Sequence, residues 1–235
     1  NHSLQPTPPA AARLSSVPLG GYACAKERPT QMRIPILLVL SLVMLVACSM
    51  NPIPTSRSEE PMERVTEYVR IDDEVINQGD PYTIIDPVWW TANIYEGGQK
   101  YNESLSPFSQ EQRYIFAVIW YVAEVNNGGH DQFYFNSTGI VWKDALAGFR
   151  ELGIDEAVEI IQESAARMGG NPSLDRATRQ EQLDTHQPNF DDLDTRFYEL
   201  ERNVDIDEAM RQYILQHRSA FYFEGEVQKL KPGSK

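Results

Sequence analysis

The sequence predicts an all-α protein, a compact orthogonal bundle of about six to eight helices with an aromatic-rich N-terminal cover. From about residue 107 onward, apolar residues recur at the three- and four-residue spacing of a helix face. Gly, Asn and Pro, which end helices, separate these apolar segments. No segment alternates convincingly between apolar and polar residues, so no strand is expected. The hydrophobic content of 41% in 235 residues is sufficient for a packed core.

Composition divides the chain into successive segments. The sequence begins with Asn, and Met32 is the expected natural start. We expect an upstream segment outside the native protein (1–31), a lipoprotein signal peptide (32–47), a flexible tether (48–60), the N-terminal cover (61–104), the helical domain (105–224) and a flexible tail (225–235).

The segment after Met32 has the pattern of a bacterial export signal. A basic residue, Arg33, precedes an apolar run over residues 34–47 that is shorter than the roughly 20 residues needed to span a bilayer. The sequence Leu-Val-Ala-Cys at 45–48 resembles the lipobox of bacterial lipoproteins, which implies a lipid on Cys48. Ser49 follows this cysteine in place of an Asp, which resembles the pattern that permits sorting to the outer membrane. The alternative is a buried helix that contains a cysteine, which Pro35 argues against.

The N-terminal cover gives mixed signals. Residues 62–76 are expected to form a helix, and Pro81 and Pro87 break the segment that follows. The inward side chains of that helix are expected to be Met62, Val65, Val69 and Ile76. We expect four aromatic residues to pack this irregular cover onto the domain: Tyr82, Trp89, Trp90 and Tyr95.

The helical domain begins with a recognisable helix start. Ser109 and Gln112 have the spacing of a capping box, and apolar residues then follow at helical period up to residue 125. Residues 126–129, Asn-Asn-Gly-Gly, predict a helix stop and a tight turn with a positive φ, because Asn and Gly tolerate that conformation. The chain is expected to reverse there.

The remaining helices are predicted from apolar period and stop signals. Residues 131–137 and 141–152 should be helical, with Ala145, Leu146 and Phe149 inward. Asp155 is expected to cap the next helix, which stops at residues 169–172, Gly-Gly-Asn-Pro. Further helices are predicted at 174–186, 191–201 and 207–218.

The segment around the double glycine resembles a known family. It reads Ala-Glu-Val-Asn-Asn-Gly-Gly-His-Asp-Gln-Phe-Tyr-Phe-Asn over 123–136, with supporting segments at 190–198 and 213–217. Over about 109–223 the chain is similar to the DNA mimic protein C-terminal-domain family, most of whose members have no assigned activity. Family members commonly have an aromatic residue where this chain has His130. The motif residues are Glu124, Asn126, Asn127, Gly128, Gly129, Asp131, Gln132 and Asn136.

Acidic residues dominate the charge. The net charge is −13, and it is −16 for residues 48–235. Residues 151–210 hold 16 acidic and five basic residues. Asp155, Glu159 and Glu163 recur every four residues, about 6 Å apart along a helix, which is comparable to the spacing of phosphates on a nucleic-acid strand. Nothing local in the sequence offsets their repulsion. Together with Asp191 and Asp194 they form a candidate acidic binding face, whose alternative is a merely solvated surface.

Catalysis is not expected. The plausible acid/base groups or ligands do not have a metal-binding spacing such as His-Glu-x-x-His: they are Glu124, His130, Asp131, His186 and His217. Glu124, Asn126, Asn127 and Gln132 are interpreted as partners of backbone groups at the turn, and His130 as packing against Trp or Tyr. No cofactor or metal is expected. No disulfide is expected either, because Cys24 and Cys48 are the only cysteines, and maturation at Cys48 would remove Cys24 and place lipid on Cys48.

Three functional hypotheses remain open. The first is a non-catalytic envelope lipoprotein, anchored through lipid on Cys48 and facing the periplasm, whose acidic domain binds a basic protein. The family resemblance implies the second, a cytoplasmic DNA mimic whose carboxylates, arranged like duplex phosphates, occupy the DNA-binding face of a transcription factor or other DNA-binding protein. The third is an immunity-like or adaptor protein. A negative surface disfavours direct nucleic-acid binding, and a homodimer is possible.

Overall fold

A long, bent helix in the middle of the chain organises the fold. The structure is a computed structural model that describes residues 63–231. The predicted all-α bundle is confirmed, but residues 63–231 form ten helices and not six to eight, and they add a small two-stranded sheet that was not expected. The elements are β1 (Arg64–Ile71), α1 (Asp73–Gln78), α2 (Pro81–Ile84), α3 (Asp86–Thr91), α4 (Gly97–Leu105), α5 (Gln110–Phe135), a 3₁₀ turn (Ser137–Val141), α6 (Trp142–Glu151), α7 (Asp155–Arg167), α8 (Arg176–His186), α9 (Asp191–Asn203), α10 (Ile206–Gln216), a second 3₁₀ turn (Arg218–Phe221) and β2 (Phe223–Leu230).

Helix α5 begins with the predicted capping box. The Ser109 hydroxyl accepts from the Gln112 backbone N–H, and the Gln112 side chain accepts from the Ser109 N–H, both at 3.0 Å. Seven apolar side chains on the first half of α5 are buried: Ile115, Phe116, Ala117, Val118, Ile119, Tyr121 and Val125. Helices α6, α8 and α9 pack around α5, and α7 bridges α6 and α9. Burial of this apolar surface is the main stabilising term of the bundle.

The chain folds sharply at the double glycine. Gly128 (φ −162°, ψ 24°) and Gly129 (φ 70°, ψ −173°) leave helical geometry, and a helix resumes immediately after them. The rings of Tyr121 and Phe133, twelve residues apart in sequence, lie with their centroids at 5.1 Å. A straight helix would separate them by about 18 Å. The predicted helix break and positive φ are therefore confirmed.

Two strands replace segments that were expected to be a helix and a tail. The prediction of a helix over residues 62–76 is wrong, because residues 64–71 form β1. The prediction of a flexible tail from residue 225 is wrong over β2, which pairs antiparallel with β1 from Ile71 opposite Phe223 to Arg64 opposite Leu230. In β1, the side chains of every second residue lie on one face of this two-stranded sheet: Val65, Glu67, Val69 and Ile71.

The N-terminal cover is more regular than expected. After β1 it consists of four helices, α1–α4, and Pro81 and Pro87 occupy first-turn positions of α2 and α3. Ile76, Ile84, Ile85 and Val88 of this segment are buried in the same core as α5. The prediction that Tyr95 packs the cover onto the domain is wrong, because 73% of this residue is exposed. Tyr82 and Trp89 are also exposed in part, so aliphatic side chains contribute most of the buried surface named here.

Acidic side chains cap several helices. Asp72, Asp80, Asp175 and Asp205 each accept a hydrogen bond from a first-turn backbone N–H, of α1, α2, α8 and α10 respectively. The expectation that Asp155 caps α7 is wrong, because Ile154 occupies the cap position and Asp155 is the first helical residue. Its carboxylate still lies in the first turn, where the helix dipole favours negative charge.

The expected signal peptide, the tether and Cys48 lie outside the described residues. Within residues 63–231, no helix is both long and apolar enough to cross a membrane.

Candidate functional site

The bend in α5 is held by a carboxylate from α9. Asp194 Oδ1 accepts hydrogen bonds from the His130 backbone N–H at 2.9 Å and from His130 Nδ1 at 2.5 Å. A Cβ on Gly129 would lie 2.2 Å from Asp194 Oδ2, so only glycine allows α9 to approach this closely. The prediction that Asp194 belongs to an acidic binding face is wrong, because its carboxylate clamps the bend.

His130 is fully buried beside this clamp. Its Nε2 lies 2.7 Å from the Tyr121 hydroxyl, and its ring packs edge-on against Tyr121 with a centroid distance of 5.6 Å. The predicted packing of His130 against an aromatic residue is thus confirmed. Both ring nitrogens have partners, and Tyr121 is also fully buried, whereas 21% of the Asp194 side chain is exposed.

Glu124 is a second buried carboxylate at the bend. Its Oε2 accepts from Gln132 Nε2 at 2.7 Å and from Asn136 Nδ2 at 2.9 Å, and its Oε1 accepts from Thr138 Oγ1 at 2.8 Å. These donors are side chains, so the interpretation of Glu124 and Gln132 as partners of backbone groups is wrong. The motif residues Glu124, Gln132 and Asn136 therefore fasten the two halves of α5 and the following 3₁₀ turn to one another.

A buried arginine that the sequence did not single out completes this structural cluster. Arg179 on α8 has no exposed surface and donates to the backbone carbonyls of Tyr134, Asn136 and Ser173 at 2.6–2.8 Å. Burial lowers the pKa of Arg179 to about 10. A polar residue on a helix with few apolar neighbours carries no sequence signal for burial.

The remaining motif residues are exposed. Asn126, Asn127, Gly128 and Asp131 lie on the outer side of the bend. Asn126 also departs from its expected role as a partner of the backbone, since its Nδ2 donates to Glu201 Oε1 of α9 at 2.9 Å. The Tyr198 hydroxyl, one turn earlier on α9, donates to the Val125 carbonyl at 3.0 Å.

Two arginines form ion pairs along the predicted stripe on α7: Arg167 of the same helix and Arg196 of α9. Arg196 of α9 lies 3.4–3.5 Å from carboxylate oxygens of Glu156, Glu159 and Glu163. Arg167 pairs with Glu163 and with Asp192. The expectation that nothing local offsets the repulsion of this stripe is therefore wrong. Asp155 and Asp191 remain exposed without an ion pair in the described part of the chain.

A different acidic feature lies where α2 meets the junction between α9 and α10. It is a cavity of about 570 Å³ lined by side chains from α2, α5, α9 and α10. An adjoining cavity of about 460 Å³ extends along α2 and shares Tyr82, Asp205 and Asp207 with it. We call the two cavities together the acidic groove. Its carboxylates are Asp80, Glu201, Asp205, Asp207 and Glu208.

The electrostatics of the groove differ from those of the α7 stripe. Partial burial raises the pKa of Glu201. The hydrogen bond from Asn126 opposes this shift, and repulsion from Asp207 adds a smaller increase. Burial also raises the pKa of Asp207, with further contributions from Asp205 and Asp80. Burial and Asp207 raise the pKa of Tyr82 to about 12. Between residues 63 and 231, no ion pair joins a groove carboxylate to a cation.

The two arginines at the groove do not neutralise it. Arg211 donates to the carbonyls of Gly79 and Asn77 at the end of α1. Arg202 lines the groove and is exposed. The floor includes Val122 and the ring of Tyr82, which is 41% exposed. The arrangement can therefore accept a cationic side chain whose alkyl or planar part lies on an apolar surface.

Sequence reasoning counted the groove carboxylates but did not place them together. Asp80 is about 120 residues from Asp205, and only the packing of α2 against α10 brings them to one surface. In the described residues, no group of three or more His, Cys, Asp or Glu side chains is arranged to hold a metal ion.

Comparison with known proteins identifies the region around the bend. Residues 106–217, from the start of α5 to the end of α10, match the family model of DMP19-like proteins. No curated protein and no solved structure matches the chain. The matched region contains the motif bend, the α7 stripe and all of the groove except its α2 wall. The predicted resemblance to the DNA mimic protein family is therefore confirmed for residues 106–217, which match the model of DMP19-like proteins.

Proposed function

We propose that this domain is a non-catalytic acidic module that binds a basic segment of a partner protein in the acidic groove. The chain carries a net charge of −13, which attracts cationic partners and repels nucleic acid. Five carboxylates surround the groove, and its floor presents an exposed tyrosine ring and a valine. These features suit a lysine or arginine side chain whose stem covers the apolar floor.

The observation that carries the proposal is the contrast in pairing between two acidic surfaces. Arg167 and Arg196 already pair with two of the three carboxylates of the α7 stripe, Glu159 and Glu163. The groove carboxylates have no such intramolecular cation among the described residues. A partner that binds the groove gains charge pairs without first breaking ion pairs within the domain.

Several groove carboxylates also have a role in the fold. Asp80 and Asp205 cap helices, and Asp207 and Glu208 lie in the first turn of α10, where the helix dipole stabilises them. Glu201 is different, because it lies near the C-terminal end of α9, where the dipole disfavours a carboxylate. Compensation of the helix dipole does not account for Glu201, which supports a role for this carboxylate in partner binding.

The proposal is tested by titrating an octa-arginine peptide into the purified full-length protein, which contains the α2 wall of the groove. Glu201→Gln combined with Asp207→Asn removes two groove charges and leaves the helix caps intact. We expect the affinity to fall at least about tenfold, equivalent to about 1.4 kcal/mol. Wild-type binding should also weaken with salt, because the Debye length shortens from about 10 Å at 0.1 M to about 3 Å at 1 M.

The matched control is Glu181→Gln combined with Asp184→Asn on α8. Both side chains are exposed, and the control changes the net charge by the same two units. If the control weakens binding as much as the groove variant does, the peptide recognises overall charge, and the groove proposal is wrong.

A second candidate function follows from the family. A DMP19-like domain of this charge is consistent with a DNA mimic that occupies the DNA-binding face of a transcription factor or another DNA-binding protein. We expect a partner captured from cytoplasmic extract to be displaced by duplex DNA. Displacement by DNA but not by an uncharged polymer supports mimicry. A partner that holds the domain and the duplex together contradicts it.

The cellular location separates the candidates. We propose an envelope lipoprotein anchored through Cys48, on the strength of the apolar run and the lipobox-like sequence at 45–48. A diacylglycerol plus an amide-linked chain provides the two acyl signals that stable attachment requires. Palmitate labelling should mark the wild type and not Cys48→Ala. If both versions stay soluble and unlabelled, the anchor is absent and a cytoplasmic DNA mimic is favoured. An immunity-like or adaptor role in the envelope would instead give a single basic envelope partner.

A further inference from the structure

A residue of the family motif reaches the acidic groove directly. Asn126 lies at the end of the first half of α5, with its side chain exposed, and its Nδ2 donates to Glu201 Oε1 at 2.9 Å. Both residues line the same cavity. This hydrogen bond joins the bend to the groove, whereas the side chains of Glu124, Gln132 and Asn136 bond to one another and to the Thr138 hydroxyl.

The groups that face Glu201 are mostly acidic. From α10 they are Asp205 and Asp207, and from α2 they are Tyr82 and the nearby Asp80. On α9 itself, Arg202 follows Glu201 in the sequence and Tyr198 lies one turn before it. From α5, besides Asn126, the buried Tyr121 is close enough that the charge of Glu201 contributes to raising the pKa of its hydroxyl. Burial and Asp207 raise the pKa of Glu201, whereas the hydrogen bond from Asn126 lowers it.

The chemistry of the donor explains the choice of side chain. An arginine or lysine at position 126 would form an ion pair and cancel the charge of Glu201, as Arg196 does for the α7 stripe. An alanine would leave the partly buried carboxylate without a donor. The neutral amide of asparagine stabilises the ionised carboxylate and leaves its charge available to a partner.

We propose that Asn126 is a positioning residue of the acidic groove, whose amide fixes the Glu201 carboxylate at the groove surface in its ionised form. Glu201 thereby keeps its negative charge to a lower pH than it would without the amide of Asn126. This inference rests on the proposed function of the groove. It assigns a binding role to one motif residue while its neighbours hold the fold.

The direct test is the titration of Glu201, followed by the side-chain carboxyl carbon resonance in NMR. In Asn126→Ala the midpoint should move to higher pH, because the donor that favours the ionised form is lost. Asn126→Asp should move it further, because a like charge replaces the donor. Asn127→Ala is the matched control: Asn127 is the next residue, is equally exposed and makes no contact with Glu201. An unchanged Glu201 midpoint in Asn126→Ala overturns the proposal.

Binding supplies the second readout. As the pH is lowered, the affinity for the octa-arginine peptide should fall first in Asn126→Ala, at a higher pH than in the wild type or in Asn127→Ala. A merely structural role predicts a loss of affinity that is the same at every pH. If wild-type protein does not bind the peptide at any pH, the proposed function fails. The carboxyl titration then still decides whether Asn126 controls the ionisation of Glu201.

Discussion

The two ends of helix α9 carry carboxylates in opposite environments. At the N-terminal end, the guanidinium of Arg167 holds Asp192 and lowers its pKa to about 2, and Asp194 clamps the bend of α5. At the C-terminal end, Glu201 has a neutral amide as its partner, and partial burial raises its pKa. The N-terminal carboxylates therefore stabilise the fold, while Glu201 is held ionised at a cost to stability.

This difference shows that acidic content alone does not locate a binding surface. Carboxylates in the first turns of α1, α7, α9 and α10 compensate the helix dipole, so their abundance has a structural cause. Glu201 has no such structural cause, because it lies near the C-terminal end of α9. Asp207 repels its carboxylate, and its hydrogen-bond donor, Asn126, is uncharged. Four predictions test whether the two ends differ in this way, from the largest expected effect to the smallest.

The largest effect is expected at the bend, where α9 approaches α5. Gly129→Ala should lower the free energy of unfolding by about 3 kcal/mol or more, because a Cβ collides with Asp194 at a φ that side chains rarely adopt. Gly153→Ala is the control, since Gly153 has nearly the same φ of 71° but open space around its Cβ. Urea unfolding measures both. Equal losses would show that strain in φ, and not contact with α9, determines the cost.

Removal of the clamp itself should have the next largest effect. Asp194→Ala leaves the backbone N–H and Nδ1 of a fully buried His130 without an acceptor, which costs about 2 kcal/mol. Asp191→Ala, three residues earlier on α9, removes an exposed first-turn carboxylate and should change stability by less than about 0.5 kcal/mol. If the two variants melt at the same temperature, Asp194 is a surface carboxylate after all.

The pH dependence of stability should have opposite signs at the two ends of α9. Because the pKa of Glu201 is raised in the folded protein, its contribution to the free energy of unfolding is present at low pH. This contribution is lost as the pH rises through the pKa of the folded state. Glu201→Gln should therefore stabilise the protein by less than about 1 kcal/mol near neutral pH, and by less still below its unfolded pKa.

At the other end of α9, Asp192 contributes stability above its unfolded pKa, and this contribution is lost as the pH falls toward about 2. Asp192→Asn should destabilise the protein near neutral pH, and the effect should shrink on acidification. Urea unfolding near pH 7 and near pH 4 compares the two variants. Changes of the same sign would contradict the distinction between the ends.

The smallest effect is expected on the α7 stripe. Replacing Asp155, Glu159 and Glu163 with Gln should change the free energy of unfolding by less than about 0.5 kcal/mol, because exposed ion pairs contribute little. The affinity for octa-arginine should change less than it does in the groove variant, although three charges are removed. A larger loss of affinity in the stripe variant would restore the α7 face as the binding surface.

Local signals allowed much of the helical domain to be predicted. The capping box at Ser109 and Gln112 depends on residues three apart, and the break at Gly128 and Gly129 depends on the conformational freedom of glycine. Both are visible in the sequence for that reason. The packing of His130 against an aromatic ring was predictable as a class of contact, but Tyr121 was not predictable as the partner.

The sequence by itself determined the helices, the break in α5 and the excess of negative charge, because each depends on residues close together in the chain or on composition. Only the tertiary structure decided which carboxylates are neutralised, since Arg196 reaches Glu159 across 37 positions. It also decided the β1–β2 ribbon, whose strands are about 150 residues apart and give only a short alternation signal. The groove likewise exists only because α2 packs against α10. This packing brings Asp80 close enough to Asp207 to raise its pKa, because electrostatic repulsion depends on distance in space and not on separation along the chain.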